Sequence, residues 1–138
     1  MPWPTALWIA GDDVLRRWDG RKLAAVGGAA GGLYIGGRSA TDLWVGQEAA
    51  RHFDGHTWTD FGGTAGVLDL FEASDGTLYG AYDGLLLGDL MEVTPGAATA
   101  QFIKSGAAYA PHGVWAAGRT DVWLAHPYAL MRFDDVSW

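Results

Sequence analysis

Two histidines flank an aspartate in the stretch RHFDGHTW, residues 51–58, and these residue types could bind a metal ion. The pair Asp54-Gly55, however, predicts a two-residue type I′ hairpin turn, with positive φ at both positions. His52 and His56 would then lie on opposite arms of the hairpin, without a third protein ligand at a defined spacing. We therefore predict no metal site and no cofactor.

Acidic residues suggest a second chemistry, glycoside hydrolysis, which needs two carboxylates about 5 to 10 Å apart, one of them with a raised pKa. No such pair stands out, because most aspartates fall in predicted turns, where a carboxylate accepts hydrogen bonds from nearby backbone N–H groups. We predict that the chain is not an enzyme and keep a degenerate glycosidase as an alternative. His112 and His126, each beside a proline, are predicted to lie in loops. The turn aspartates are Asp19, Asp54, Asp75, Asp83, Asp121 and Asp134.

The composition favours a β-rich globular domain, because the 138 residues include 21 glycines and eight tryptophans. Glycine supplies the positive φ of tight turns, and aromatic side chains suit a pleated surface. The formal charge is −7 and the basic residues are scattered, so nucleic acid and anionic membrane surfaces are not expected as partners. Cysteine is absent, which excludes disulfides and thiol chemistry. The N-terminal residues do not read as a signal peptide or a membrane span.

The chain repeats two short patterns. The first is an aliphatic residue followed by an aromatic one, and successive aromatic residues are 36, 35 and 44 positions apart. The second is an aromatic residue followed by Asp and then Gly or Asp. They occur at Leu7-Trp8, Leu43-Trp44, Leu78-Tyr79 and Val122-Trp123, and at Trp18-Asp19-Gly20, Phe53-Asp54-Gly55 and Phe133-Asp134-Asp135. A large residue at one recurring offset is predicted to fill the gap between stacked repeats.

Each repeat is predicted to hold four short strands. In the second repeat these are Leu33–Gly36, Leu43–Gly46, Ala50–Phe53 and Thr57–Phe61. Four antiparallel strands in about 35 residues are typical of a propeller blade, and small residues such as Gly36, Gly37 and Gly118 suit its innermost strand. The predicted fold is all-β, a β-propeller-type repeat of roughly four short four-stranded blades with about fourteen strands. A β-helix, a leucine-rich repeat and a β-sandwich explain the pattern less well.

The chain is predicted to be a single propeller-repeat domain, residues 1–138. It divides into a partial blade 1–31, a blade 32–66, a blade 67–111 with an insert at 95–111, and a partial blade 112–138. We expect an incomplete ring, near the lower limit of about four blades. A longer parent chain or further copies of the chain would complete it. An uncovered blade face would be a liability for a monomer.

The stretches TDLWVG…HFDGHTW and TDVWLA…RFDDVSW resemble the Asp-Val-Trp … Phe-Asp-Gly-x-x-Trp repeat of bacterial secreted propeller-like proteins. The stretch VLDLFEASDGTLYGAYDGLLL, residues 67–87, is similar to the sensor-domain propellers of two-component regulators. The resemblance covers nearly the whole chain. It implies a binding or scaffolding module in an extracellular or periplasmic location, and it implies no catalytic residues.

The predicted function is a non-catalytic binding or scaffolding module that recognises a protein or glycan ligand through loops at the blade edges. Loops that depart from a repeat often carry binding, and half-exposed aromatic residues can stack on sugars or anchor a protein partner. Lectin-like carbohydrate binding is the first alternative. Trp58 has a counterpart in Trp138 of the last repeat, so a position in the core is the alternative to ligand binding for Trp58. The candidate ligand-binding residues are Trp58, His56, Tyr82, Lys104 and Tyr109.

Overall fold

The computed structural model describes residues 6–11, 14–26, 34–46, 49–61, 64, 66–83 and 89–138. These residues form fourteen β-strands in four antiparallel sheets. Sheet I contains β1 (Leu7–Ala10), β2 (Leu15–Trp18) and β3 (Leu23–Ala25), and sheet II contains β4 (Tyr34–Ser39), β5 (Asp42–Gly46), β6 (Ala50–Phe53) and β7 (Trp58–Phe61). Sheet III contains β8 (Val67–Glu72), β9 (Leu78–Tyr82), β10 (Leu90–Val93) and β11 (Gln101–Ile103), and sheet IV contains β12 (Gly113–Gly118), β13 (Asp121–His126) and β14 (Ala129–Phe133). No described segment is a helix of the length and apolar character needed to cross a membrane.

Every sheet is a meander, in which each strand pairs with the next one along the chain. The sheets pack on one another in chain order, since β1 contacts β4, β4 and β5 contact β8, and β12 contacts β8 and β9. The described strands do not close into a ring. The fold is therefore all-β and of the incomplete propeller type, as the sequence predicts.

The second repeat shows how local sequence sets the strand limits. The strand predicted at Leu43–Gly46 is observed at Asp42–Gly46, and the strand predicted at Ala50–Phe53 has those limits in the structure. Leu33, the predicted start of the innermost strand, lies outside the described residues. The limits of the blades in sequence stay a prediction.

The repeated aliphatic–aromatic pair joins neighbouring sheets, because successive side chains of a strand point to opposite faces. Leu43 lies with Trp8 in the apolar cluster between sheets I and II. Trp44, the next residue, lies with Leu78 in the cluster between sheets II and III. Tyr79, the aromatic residue of the next pair, lies in the cluster between sheets III and IV. The repeated aromatic residue thus fills the gap between stacked sheets.

An aspartate closes each hairpin that carries the Phe-Asp-Gly type of pattern. Asp54 Oδ1 accepts hydrogen bonds from the backbone N–H groups of Thr57 (2.7 Å) and His56 (2.8 Å). These two bonds lower the pKa of Asp54 to about 2. The type I′ prediction is wrong, because residues 54–57 form a longer connection in which Gly55 alone has positive φ, at 95°. The same pair of backbone bonds closes the hairpin at Asp19 and the turn at Asp134.

The segment 95–111, predicted as an insert, is partly regular structure. It contains β11, which pairs with β10 and forms the outer edge of sheet III. The extra length of this repeat is therefore distributed over the connections before and after β11, at residues 94–100 and 104–112, rather than gathered in one loop. These connections hold two of the predicted ligand contacts, Lys104 and Tyr109.

Candidate functional site

A cleft of about 390 Å³ opens between sheets II and III. Strands β4, β5 and β6 contribute charged and aromatic side chains to it, β8 contributes a carboxylate, and residues 94–97 after β10 form one side. Polar groups that converge in a cleft beside aromatic rings are typical of small-molecule binding sites. The charged and aromatic side chains that line the cleft are Arg38, Asp42, Trp44, His52, Phe61, Glu72 and Asp75.

Arg38 connects the two sheets across the cleft. It follows Gly37 at a β-bulge near the end of β4, and bulges commonly re-aim a side chain. Its Nη2 lies 2.5 Å from Asp42 Oδ2 in the same sheet, and its Nε lies 2.9 Å from Glu72 Oε1 in sheet III. The Arg38 side chain is 47% exposed, so these two carboxylates orient a cation that solvent and ligands can still reach.

Asp42 carries a second contact on the sheet II side of the cleft. Its Oδ1 lies 2.8 Å from His52 Nε2, and the His52 ring packs on Trp44 with ring centroids 4.4 Å apart. Burial alone would raise the pKa of Asp42, but the hydrogen bonds from His52 and Arg38 outweigh it and hold that pKa below its usual value. Asp42 is therefore a stable anion that fixes both His52 and Arg38.

Glu72 is the buried carboxylate of the cleft, with a side chain only 2% exposed. Burial, and then the negative charge of Asp42, raises its pKa despite the attraction of Arg38. Its Oε2 and the indole Nε1 of Trp44 have no hydrogen-bond partner among the described residues. A buried polar atom without a partner costs about 1–3 kcal/mol, so a hydroxyl group or water that reached either atom would stabilise the site.

We predict that Glu72→Gln changes the pH dependence of stability. A carboxyl group whose folded pKa lies above its unfolded value of 4.5 binds protons preferentially in the fold. The wild-type free energy of unfolding should therefore fall as the pH rises above 4.5. Glutamine does not titrate, so the stability of the variant relative to the wild type should increase as the pH rises above 4.5, as measured by urea unfolding.

Glu92→Gln provides a matched comparison on the other face of sheet III. Glu92 is 4% exposed, and burial raises its pKa also. It faces Arg119, with Oε1 3.8 Å from Nη2. The effects of the two replacements on the free energy of unfolding should add, because the two carboxylates have different partners. An unchanged pH slope in either variant would mean that burial does not control the titration of that carboxylate.

The five residues predicted as ligand contacts are not brought together, and none of them lines the cleft. Trp58 is half-buried and its ring stacks on Phe53 at 4.9 Å, so it packs largely as a core residue. Tyr82 is 7% exposed and packs on Phe102, which leaves no open ring face for a sugar. The other three are exposed, at the turn after β6 and in the connection after β11, and they are His56, Lys104 and Tyr109.

His126 is not in a loop, and its position is a correction to the sequence analysis. It ends β13, its side chain is 2% exposed, and its Nδ1 lies 2.8 Å from the backbone oxygen of Tyr109. Its Nε2 lies 3.5 Å from Ser105 Oγ, and Ser105 also donates to Asp89. This cluster fastens the connection after β11 to sheet IV. Residues 89, 105 and 126 are far apart in sequence, so no local pattern could reveal it.

Sequence reasoning also missed Arg38. One signal was present, since an arginine follows glycine shortly before the Thr-Asp-aliphatic-Trp motif in both GGRSATDLW and AGRTDVW. The second of these, Arg119, likewise faces a buried carboxylate of sheet III, Glu92. No group of three or more His, Cys, Asp or Glu side chains within the described ranges could hold a metal ion.

No known protein family and no curated protein matches the chain. A solved structure does match: the extracellular domain of a hybrid two-component system from B. thetaiotaomicron. The TM-score is 0.72, the sequence identity is 12%, and the match covers 97% of this chain. The chain spans a fifth (20%) of the length of that structure. At this identity the likeness extends to the fold, and the fold agrees with the four stacked sheets described above.

Proposed function

We propose that the chain is a non-catalytic binding module whose ligand lies in the cleft between sheets II and III. The observation that carries this proposal is the fixed arrangement of Arg38, which two carboxylates hold at the mouth of a cleft of about 390 Å³. Orientation by fixed partners lowers the entropy that a binding side chain loses when it meets its ligand. In a scaffolding role through blade-edge loops, the exposed candidates His56, Lys104 and Tyr109 would make the contacts instead of the cleft.

The chemistry of the cleft favours a small hydroxylated ligand such as a sugar. Arg38 and His52 can donate hydrogen bonds, and Asp42 and Asp75 can accept them. Phe61 and Pro95 supply apolar surface for the C–H face of a sugar ring. A sugar offers hydroxyl groups that both donate and accept, so it can satisfy both kinds of group at once. We therefore propose lectin-like binding in the cleft rather than at Trp58 and Tyr82.

A degenerate glycosidase is the second candidate, and one observation favours it. The pKa of Glu72 is raised while that of Asp42 is lowered, and both carboxylates contact Arg38. Two carboxylates with divergent pKa values are the usual arrangement of a general acid and its partner. Arg38, however, forms an ion pair with each of the two groups, which favours binding over catalysis. Hydrolysis of a chromogenic glycoside that disappears in Glu72→Gln would support the enzyme.

We place the module outside the cytoplasm. The support is the likeness in fold to an extracellular domain and the resemblance of the repeat to secreted propeller-like proteins. Expression of the natural gene product with a protease-accessibility assay would test this location. Protection of the module in spheroplasts, where added protease reaches the former periplasmic side, would overturn it.

Binding is tested by calorimetry and thermal shift with glucose, galactose, N-acetylglucosamine and glucuronic acid. We expect one of these sugars to bind, and Arg38→Met to raise its Kd by at least about tenfold. Arg21→Met is the matched control, because Arg21 is exposed in a turn of sheet I, away from the cleft. Failure of all four sugars to bind would contradict the sugar assignment. Equal binding by Arg38→Met and wild type would contradict the cleft as the site.

A further inference from the structure

The two halves of the repeated aliphatic–aromatic pair always face different neighbours. The aliphatic residue faces the preceding sheet, and Leu43 and Leu78 are accordingly 2% and 0% exposed. The aromatic residue faces the following sheet, and Trp44 and Tyr79 are 5% and 0% exposed. Each interior sheet is thus covered on both faces by the sheets next to it.

At the ends of the stack these positions have no neighbouring sheet to cover them: the aliphatic position is uncovered in sheet I, and the aromatic position in sheet IV. Leu7 of sheet I is 50% exposed, although its equivalents are buried. On the same face of sheet I lie Trp18 and Leu23, which are directly opposite one another in the strand register, and Ile9. Leu23 is 45% and Ile9 41% exposed. We call this surface, formed by Leu7, Ile9, Trp18 and Leu23, the leading face.

Sheet IV has the corresponding open surface on its far side. Trp123, the equivalent of Trp44, is only half-buried. Trp115 opposite it is 48% exposed, although its ring also lies 6.0 Å from that of Phe71 in the edge strand of sheet III. Leu130, opposite Ala125 on this same side, is 66% exposed. We call the surface formed by Trp115, Trp123 and Leu130 the trailing face. Large open apolar surfaces of this kind commonly mark interaction sites.

We propose that a second copy of the chain places its leading face on the trailing face, as sheet III packs on sheet II. The polar side chains beside Trp123 on the trailing face are arranged like those beside Trp44, on the surface of sheet II that sheet III covers. Trp123 lies opposite Arg132, whose Nε is 2.6 Å from Asp121 Oδ1. In sheet II, the corresponding ring and side chain are Trp44 and His52, with His52 bound to Asp42.

The charges of the two end sheets also complement one another. Residues 6–26, which include sheet I, carry four basic residues and three acids, a formal charge of +1. Residues 113–138 carry three acids and two basic residues. Opposite charges across an interface favour encounter and select the orientation of the partners.

The proposed contact joins two different surfaces, so it is heterologous, and such contacts give rings when the rotation closes. Two copies would supply eight sheets, which is within the range of about four to eight blades found in propellers.

The experiment is the solution mass by light scattering of the wild type and two variants, one for each face. Ile9→Glu places a charge on the leading face and Leu130→Glu places one on the trailing face. We expect the wild type to have a mass of at least twice 14.7 kDa. Each variant alone should weaken association at least about tenfold. Ala98→Glu is the control, because Ala98 is exposed in the connection between β10 and β11 of sheet III.

Mixing the two variants separates this arrangement from a symmetric one. Each variant keeps one intact face, and the two intact faces are complementary, so the mixture should form a one-to-one dimer. A wild type that stays at 14.7 kDa would overturn the proposal. A mixture that stays monomeric, or a variant that dimerises by itself as tightly as the wild type, would overturn it as well. Circular dichroism of each variant verifies the β fold, and since both positions are exposed the fold should be retained.

Discussion

Replacement of Tyr79 by alanine is expected to lower the free energy of unfolding by about 3–5 kcal/mol. Tyr79 is fully buried between sheets III and IV, in contact with the apolar cluster that holds these sheets together. Loss of its ring removes buried apolar surface and leaves a cavity that the surrounding strands cannot fill. Urea unfolding monitored by circular dichroism measures the change.

Tyr79→Phe separates the packing of the ring from the role of its hydroxyl group. The hydroxyl is buried and has no hydrogen-bond partner among the described residues. Its removal should therefore leave stability unchanged or raise it, since burial of an unpaired hydroxyl is unfavourable. If the phenylalanine variant lost as much stability as the alanine variant, a polar contact of Tyr79 would be responsible, and the packing explanation would be wrong.

Gly37→Ala is expected to cost about 1–3 kcal/mol, the range found for overpacked sites. A Cβ atom at this position would lie 2.5 Å from the backbone oxygen of Asp42 and 2.6 Å from the Cα of Leu43. Both are backbone atoms of the neighbouring strand β5, so they cannot move aside without disturbing the β-bulge that precedes Arg38. The variant should therefore lose stability and also bind ligand more weakly in the cleft.

Gly118→Ala is the control, because Gly118 also directly precedes an arginine and lies next to the β-bulge of the first strand of its sheet. No atom lies within 4 Å of a Cβ built at Gly118. Alanine should be neutral there, or stabilising by about 0.4–1 kcal/mol, because it restricts the unfolded chain. Equal losses at the two glycines would show that the clash with β5 is not the cause.

The repeat was the part of the fold that could be predicted, because each of its patterns acts locally. The Phe-Asp-Gly pattern predicts a hairpin since Asp54 binds backbone groups only two and three residues away. The recurring aromatic residue predicts a core position since strand alternation points Trp44 and Tyr79 towards the next sheet. The turn type was wrong because it depends on loop length, which the Asp-Gly pair alone does not determine.

The candidate site could not be predicted in the same way, because its parts come from different repeats. Glu72 lies 34 positions after Arg38 in the sequence, and the two meet only when sheet III stacks on sheet II. Aromatic type alone was also misleading for ligand contacts. Tyr82 has the same residue type as the exposed Tyr109, and only packing against Phe102 shows that it is buried.

Binding in the cleft is examined most directly by NMR of the tryptophan indole N–H groups during titration with the sugars named above. The Trp44 indole lines the cleft and has no hydrogen-bond partner among the described residues, whereas the Trp123 indole donates to Asp121 at 3.0 Å, away from the cleft. Peaks can be assigned by single Trp→Phe variants. A saturable shift of the Trp44 peak with an unmoved Trp123 peak is the result that the proposed binding module predicts. An unmoved Trp44 peak with any bound sugar would contradict it.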